Sequence, residues 1–243
     1  MKLIVANLKM KLLYNDIEKY INFINNLNLN KVQLIICPTS IYTNMFKKIT
    51  AKNIYIGSQY VSPYENNNYT GEVSSKQLKS IGIKYCIVGH MDSMVINHET
   101  AYQIVTKINN LDKNCITPIL CIGKEKNDDE LAKQLFDIIP MVNNKENLVI
   151  AYEPYNAIGR EKLPDVLEII NSVKYIKKLL YTEFNLKCKV IYGGSVNEKN
   201  CSKILINDII DGVIVGTVGA NMNKFKQLIN EVENLWEKKE DLH

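Results

Sequence analysis

Eight short apolar runs, at residues 2–7, 32–37, 54–59, 85–88, 118–122, 148–152, 189–192 and 212–215, constrain this chain more than any other feature. They recur at about thirty residues, the size of one strand–helix–strand unit. The runs are continuous rather than alternating, which indicates strands buried on both faces of a parallel sheet. Between them lie segments with apolar residues at helical spacing, at 14–27, 41–49, 74–81, 99–110, 129–139, 166–184, 198–206 and 224–236. In the first of these Ile17, Tyr20, Ile21 and Ile24 share one face, and Asp16 and Glu18 favour the first turn. Eight such pairs closing on themselves predict an α/β protein, a single (β/α)8 barrel over residues 1–243. An open doubly wound sheet is the alternative. No linker, repeat or low-complexity block interrupts the pattern, and residues 65–68 read as a polar tip within one long loop.

The chain has 243 residues, 46% hydrophobic and 23% charged, enough to bury a core without disulfides. Lys+Arg 30 against Asp+Glu 26 gives a net charge of +4, with lysines scattered rather than striped, which argues against a nucleic-acid partner. The six cysteines (Cys37, Cys86, Cys115, Cys121, Cys188 and Cys201) form no Cys-x-x-Cys pair, so neither a zinc site nor a redox motif is expected. Cys37, Cys86, Cys121 and Cys188 lie in or beside apolar runs and read as inert buried thiols. The opening residues are broken by Asn7 and Lys9 before a signal-peptide core could form, and no run reaches transmembrane length. A cytoplasmic location without membrane contact is the resulting expectation.

Five of the expected strand ends carry residues that chemistry can use. The first ends in Asn7 with Lys9 just beyond, the fourth in Gly89-His90, and the sixth in Glu153-Pro154. The seventh ends in Tyr192-Gly193-Gly194-Ser195 and the eighth in Val215-Gly216-Thr217. A parallel barrel brings all five to one rim, where glycine-rich turns and helix starts offer backbone N–H groups to an anion. Taken singly, each is as well explained by a solvated lysine, a turn histidine or a plain glycine turn. Together they predict a bound phosphate near a glutamate base and two electrophilic groups.

The sequence resembles triosephosphate isomerase along essentially its whole length. The family's motifs stand as Asn7-Leu8-Lys9-Met10, Thr70-Gly71-Glu72-Val73-Ser74, Gly89-His90, Ala151-Tyr152-Glu153-Pro154 continuing to Gly159, and Tyr192-Gly193-Gly194-Ser195-Val196. The resemblance implies a TIM barrel that interconverts glyceraldehyde 3-phosphate and dihydroxyacetone phosphate through an enediolate, without cofactor or metal. Other readings are an isomerase of a related phosphorylated sugar, or a catalytically weak barrel that binds a phosphometabolite. By the resemblance Glu153 is the base, neutral His90 polarises the carbonyl, Lys9 supplies positive charge and Asn7 orients the substrate. Gly159, Ser195, Gly216 and Thr217 would hold the phosphate, with Asp92 and Cys121 behind the catalytic groups. Thr70 and Glu72 would belong to the loop that docks a homodimer.

The departures from the family pattern gather around the site. The run after the histidine is Met91-Asp92-Ser93-Met94 in place of Ser-Glu-Arg-Arg. Met91 cannot make the serine's hydrogen bond to the carboxylate, and Asp92 keeps a charge on a shorter arm. Ser93 replaces an arginine that, by the resemblance, would pair with Glu99 and with the partner's Glu72. The lid carries Tyr155-Asn156 instead of Val-Trp and Arg160-Glu161-Lys162 instead of Thr-Gly-Lys. Lys124 stands where the family has a glutamate, with Glu125 next to it, and Trp236, the only tryptophan, is on the last helix.

Overall fold

The computed structural model describes residues 1–65, 68–123, 128–154 and 164–235. Eight strands, β1 (Lys2–Asn7), β2 (Val32–Cys37), β3 (Ile54–Ser58), β4 (Tyr85–Val88), β5 (Thr117–Ile122), β6 (Val149–Tyr152), β7 (Lys189–Gly193) and β8 (Gly212–Val215), pair in sequence order into a closed parallel barrel. β1 closes the ring by pairing with both neighbours, from Lys2↔Val32 to Asn7↔Cys37 on one side and from Leu3↔Gly212 to Ala6↔Val215 on the other. The open doubly wound alternative is thereby excluded.

Strand periodicity divides the core in two. Leu3, Val5, Ile35, Cys37, Ile87, Ile119, Cys121, Val149, Ala151, Ile191 and Ile214 fill the barrel interior. Their neighbours Ile4, Ala6, Leu34, Ile36, Leu120, Ile150 and Val213 face the surrounding helices. Carried past the strand ends, the inward phase reaches Asn7 in β1, Glu153 two residues beyond Ala151, and Gly193 two beyond Ile191.

The described helices are α1 (Tyr14–Asn25), α2 (Ser75–Ser80), α3 (Met91–Ile96), α4 (Ala101–Lys113), α5 (Asp128–Ile138), α6 (Val166–Phe184), α7 (Cys201–Leu205), α8 (Thr217–Ala220) and α9 (Met222–Glu233). α6 keeps the expected bounds, with an Asp165 cap at its start and Asn185 in the left-handed conformation at its end. Thr100 caps α4 in a reciprocal box with Gln103, so the helix starts later than the apolar pattern suggests. The segment expected as a helix over 41–49 is a 3₁₀ helix, Ser40–Lys48. α7 is shorter than expected because Asn197 and Asn200 spend their side chains on local amides: Asn197 N–H donates to Asn200 Oδ1 (2.8 Å) and Lys199 N–H to Asn197 Oδ1 (2.9 Å). α3 is not legible from hydrophobic periodicity, since none of its residues is buried. Among the described residues no helix is long and apolar enough to cross a membrane.

Candidate active site

At the carboxyl ends of the strands lies a cavity of about 530 Å³ lined by Asn7, Lys9, His90 and Glu153 together with Ser195, Gly216 and Thr217. Lys11, Asn197 and Val218 also line it, and none of these three stood out in the sequence. Gly159 lies outside the described residues, as do Lys124, Glu125, Tyr155, Asn156, Arg160, Glu161, Lys162 and Trp236.

Glu153 follows β6, held there by its N–H donating to the Ile122 carbonyl (2.8 Å). Its side chain is only 12% exposed. Two glycines leave room for it. A Cβ on Gly193 would sit 2.6 Å from Glu153 Cγ and 2.5 Å from Ile214 Cγ2. Gly123, at φ +117, lets β5 approach the Glu153 backbone, where a Cβ would come within 2.8 Å of the carbonyl carbon. Glu153 Oε1 is buried and has no hydrogen-bond partner among the described residues; His90 Nε2 is 3.8 Å away. An orphaned buried carboxylate oxygen is costly to maintain and free to accept a proton or a hydrogen bond. Behind the base, Cys121 is buried, and burial together with the adjacent Glu153 carboxylate pushes its thiol well above the ordinary value. Met91 and Met94 border the same small space behind Glu153, with Gly89, Cys121 and Gln134.

His90 is buried and caps α3. Its Nδ1 accepts the Asp92 N–H at 3.1 Å, so the lone pair on Nδ1 is engaged and the imidazole proton sits on Nε2, facing Glu153. Lys9 occupies the left-handed region at φ 48, unusual for a lysine. Three contacts hold it there. Lys9 N–H donates to Asn7 Oδ1 (3.2 Å), while Gln59 Nε2 donates to the Lys9 carbonyl (3.1 Å) and to the Cys37 carbonyl (2.8 Å). Gln59 is a positioning residue that the sequence did not mark; its only signal was its place at the end of the third expected strand. Lys9 Nζ lies 2.9 Å from Asp92 Oδ2. Burial alone would raise the Asp92 carboxyl, but the hydrogen bond and positive charge of Lys9 hold it below its usual value.

Across the cavity Ser195 is also left-handed, at φ 53, and its carbonyl accepts Asn200 Nδ2 at 2.9 Å. Gly216 precedes α8, whose first amides, beginning at Thr217, have no partner within the helix.

Thr70 is exposed, whereas Glu72 is half-buried and accepts the Tyr60 hydroxyl at 2.6 Å. Ser93 offers these carboxylates no charge, but Glu99 has a charged partner within the chain. Its Oε1 is hydrogen-bonded by Lys107 in a buried pair, and Lys107 Nζ sits 4.2 Å from the Tyr60 ring centroid. Glu99 Oε2 is buried without a hydrogen-bond partner among the described residues. The thiol expectation holds for Cys37, Cys86 and Cys121, which are buried, but Cys188 is only partly so.

The family model for triosephosphate isomerase matches residues 2–232. A protein named triosephosphate isomerase from Orientia tsutsugamushi (strain Ikeda) is 31% identical over 249 aligned residues, covering 96% of this chain and 98% of that protein. Proteins of the same name from Wigglesworthia glossinidia brevipalpis and Colwellia psychrerythraea are 33% and 34% identical, covering 85% and 80% of this chain and 86% and 83% of their own lengths. With a closed parallel barrel and a family match along nearly all of it, the chain belongs to the triosephosphate isomerase family.

Proposed function

We propose that this protein is a triose-phosphate isomerase, interconverting glyceraldehyde 3-phosphate and dihydroxyacetone phosphate in glycolysis and gluconeogenesis, with residues 1–243 acting as one barrel domain in the cytoplasm. The observation that carries the reading is the pairing of an unpartnered Glu153 Oε1 with His90 Nε2 3.8 Å away, in a cavity shared with Lys9 and two glycine-bearing loops.

In this reading the substrate carbonyl sits against the Nε2–H of His90 and the Lys9 ammonium. Glu153 removes the proton from the adjacent carbon, and the negative charge that develops on oxygen meets donors already aimed at it. His90 moves protons between the two oxygens as a neutral imidazole, because the Asp92 amide occupies Nδ1. Glu153 returns its proton to the neighbouring carbon. Ser195, Gly216 and Thr217 hold the phosphate through backbone amides, and Gly159 joins them from the loop after Glu153. Every step moves a proton between adjacent atoms, so no cofactor or metal enters.

Assembly as a homodimer through Thr70 and Glu72 belongs to the same proposal. Its support is the exposed large apolar residues on the segments following β1, β3 and β4, among them Met10, Leu13, Tyr64, Tyr69, Val95 and Ile96. The test of the function is a coupled assay with glyceraldehyde 3-phosphate. Turnover by the wild type that falls by about a hundred-fold or more in Glu153→Gln supports the reading. Turnover undiminished in the variant means another group is the base, and no turnover by the wild type rejects the isomerase.

A further inference from the structure

Among the described residues, the charges lining the cavity do not favour a dianionic substrate until one more residue is counted. Lys9 is already paired with Asp92 at 2.9 Å, and Glu153 presents a negative charge that repels an incoming phosphate. Lys11 lines the same cavity, is exposed at its mouth, and has no carboxylate partner among the described residues. A turn in which the Lys11 N–H donates to the Leu8 carbonyl (3.2 Å) sets its backbone beside the strained Lys9. We propose that Lys11 is a specificity-determining residue: a cation without a carboxylate partner among the described residues that draws in and holds the substrate's phosphate dianion. A neutral triose would gain nothing from it. The proposal rests on the isomerase reading for its substrate, but phosphate binding can be measured without turnover.

The physical signature is long-range and salt-dependent. A single charge facing a dianion at the edge of a low-dielectric cleft changes association and affinity by about three- to tenfold at low ionic strength, and the effect fades as salt screens it. The experiment compares wild type, Lys11→Gln, Lys11→Arg and Lys178→Gln, the last removing an equal charge from an exposed site on α6. For each, kcat/KM for glyceraldehyde 3-phosphate is measured across ionic strength. Reaction of unphosphorylated glyceraldehyde and the dissociation constant of inorganic phosphate are measured alongside.

Lys11→Gln should lower kcat/KM by about three- to tenfold at low salt, weaken inorganic phosphate by a similar factor and flatten the salt dependence. Turnover at saturation and the glyceraldehyde rate should stay unchanged, Lys11→Arg should restore the loss, and Lys178→Gln should reproduce none of it. Equal loss with glyceraldehyde, equal loss in Lys178→Gln, or unaltered phosphate affinity in Lys11→Gln would each overturn the assignment. If the wild type fails to isomerise, the isomerase reading falls, while the phosphate dissociation constants still decide the role of Lys11.

Discussion

Glu153 owes its position to residues that have no side chain. Period two along β6 aims it inward, but only the absence of a Cβ on Gly193 gives its Cγ a place to lie. Gly193→Ala should therefore displace the carboxylate by a fraction of a bond length to about an ångström. A shift of that size costs roughly a hundred-fold in turnover, while overpacking costs only about 1–3 kcal/mol of stability. Steady-state kinetics beside a urea melt checks this, and a variant with full kcat would show that the base tolerates the crowding. The Lys9–Asp92 pair makes a different prediction. Its carboxyl is held below the usual value, so the stabilisation is complete above the ordinary carboxylate range and is lost as pH falls through the folded-state value. Asp92→Asn should melt lower than wild type by a constant margin from pH 5 to 8, and the margin should close on acidification below about pH 4. Melting curves by circular dichroism across that range decide it; a margin undiminished at pH 3 would mean the pair is not its source. At this scale Asn7, Lys9, His90 and Glu153 were legible because they lie at or just beyond strand ends, and the inward phase singles out Asn7 and Glu153 as well. Gln59 and Lys11 were not, since a clamp on a strained backbone and a charge left unpaired exist only once the chain is folded.

The elements differ in how far local pattern determines them. The strands were legible to within a residue or so because burial on both faces leaves an unbroken apolar run in the sequence. α6 was legible because its apolar stripe and its caps agree. α3 and α8 were not: one buries nothing and the other has four residues, too short for a helical period to register. α4 carries an instructive case, since Lys107 lies on its buried face beside Ile104, Val105, Ile108 and Leu111. An apolar stripe broken by a lysine reads as an imperfection until Glu99 and the Tyr60 ring are seen around it. Removing one member of such a buried pair leaves the other charge stranded. Lys107→Met should lose about 3–5 kcal/mol despite being more hydrophobic. The urea midpoint reports it, and a loss below about 1 kcal/mol would show that water or movement relieves Glu99.

For the whole molecule, the barrel was legible from the count and spacing of apolar runs, whereas the surroundings of Glu72 and Glu99 were not. Ser93 was expected to cost these carboxylates one charged partner; within the chain the fold gives Lys107 to Glu99 and the Tyr60 hydroxyl to Glu72, with one oxygen of Glu99 left without a partner among the described residues. The proposed dimer should form but dissociate more readily than its relatives, and Ser93→Arg should tighten it by about thirtyfold or more, from the lower end of the roughly 2–5 kcal/mol that such charge pairs carry. Sedimentation velocity over a dilution series checks this; a wild-type dimer persisting to nanomolar concentration, with no gain from Ser93→Arg, would contradict it. The central claim is that a folded barrel brings one carboxylate to a carbon beside a carbonyl. Its most direct test follows glyceraldehyde 3-phosphate by NMR during turnover in D₂O. Dihydroxyacetone phosphate should carry deuterium on one face of the newly protonated carbon, with both isomerisation and label falling by about a hundred-fold or more in Glu153→Gln. Label appearing at an undiminished rate in that variant, or isomerisation by the wild-type protein with the substrate hydrogen wholly conserved and no deuterium incorporated, as a hydride shift would give, would contradict it.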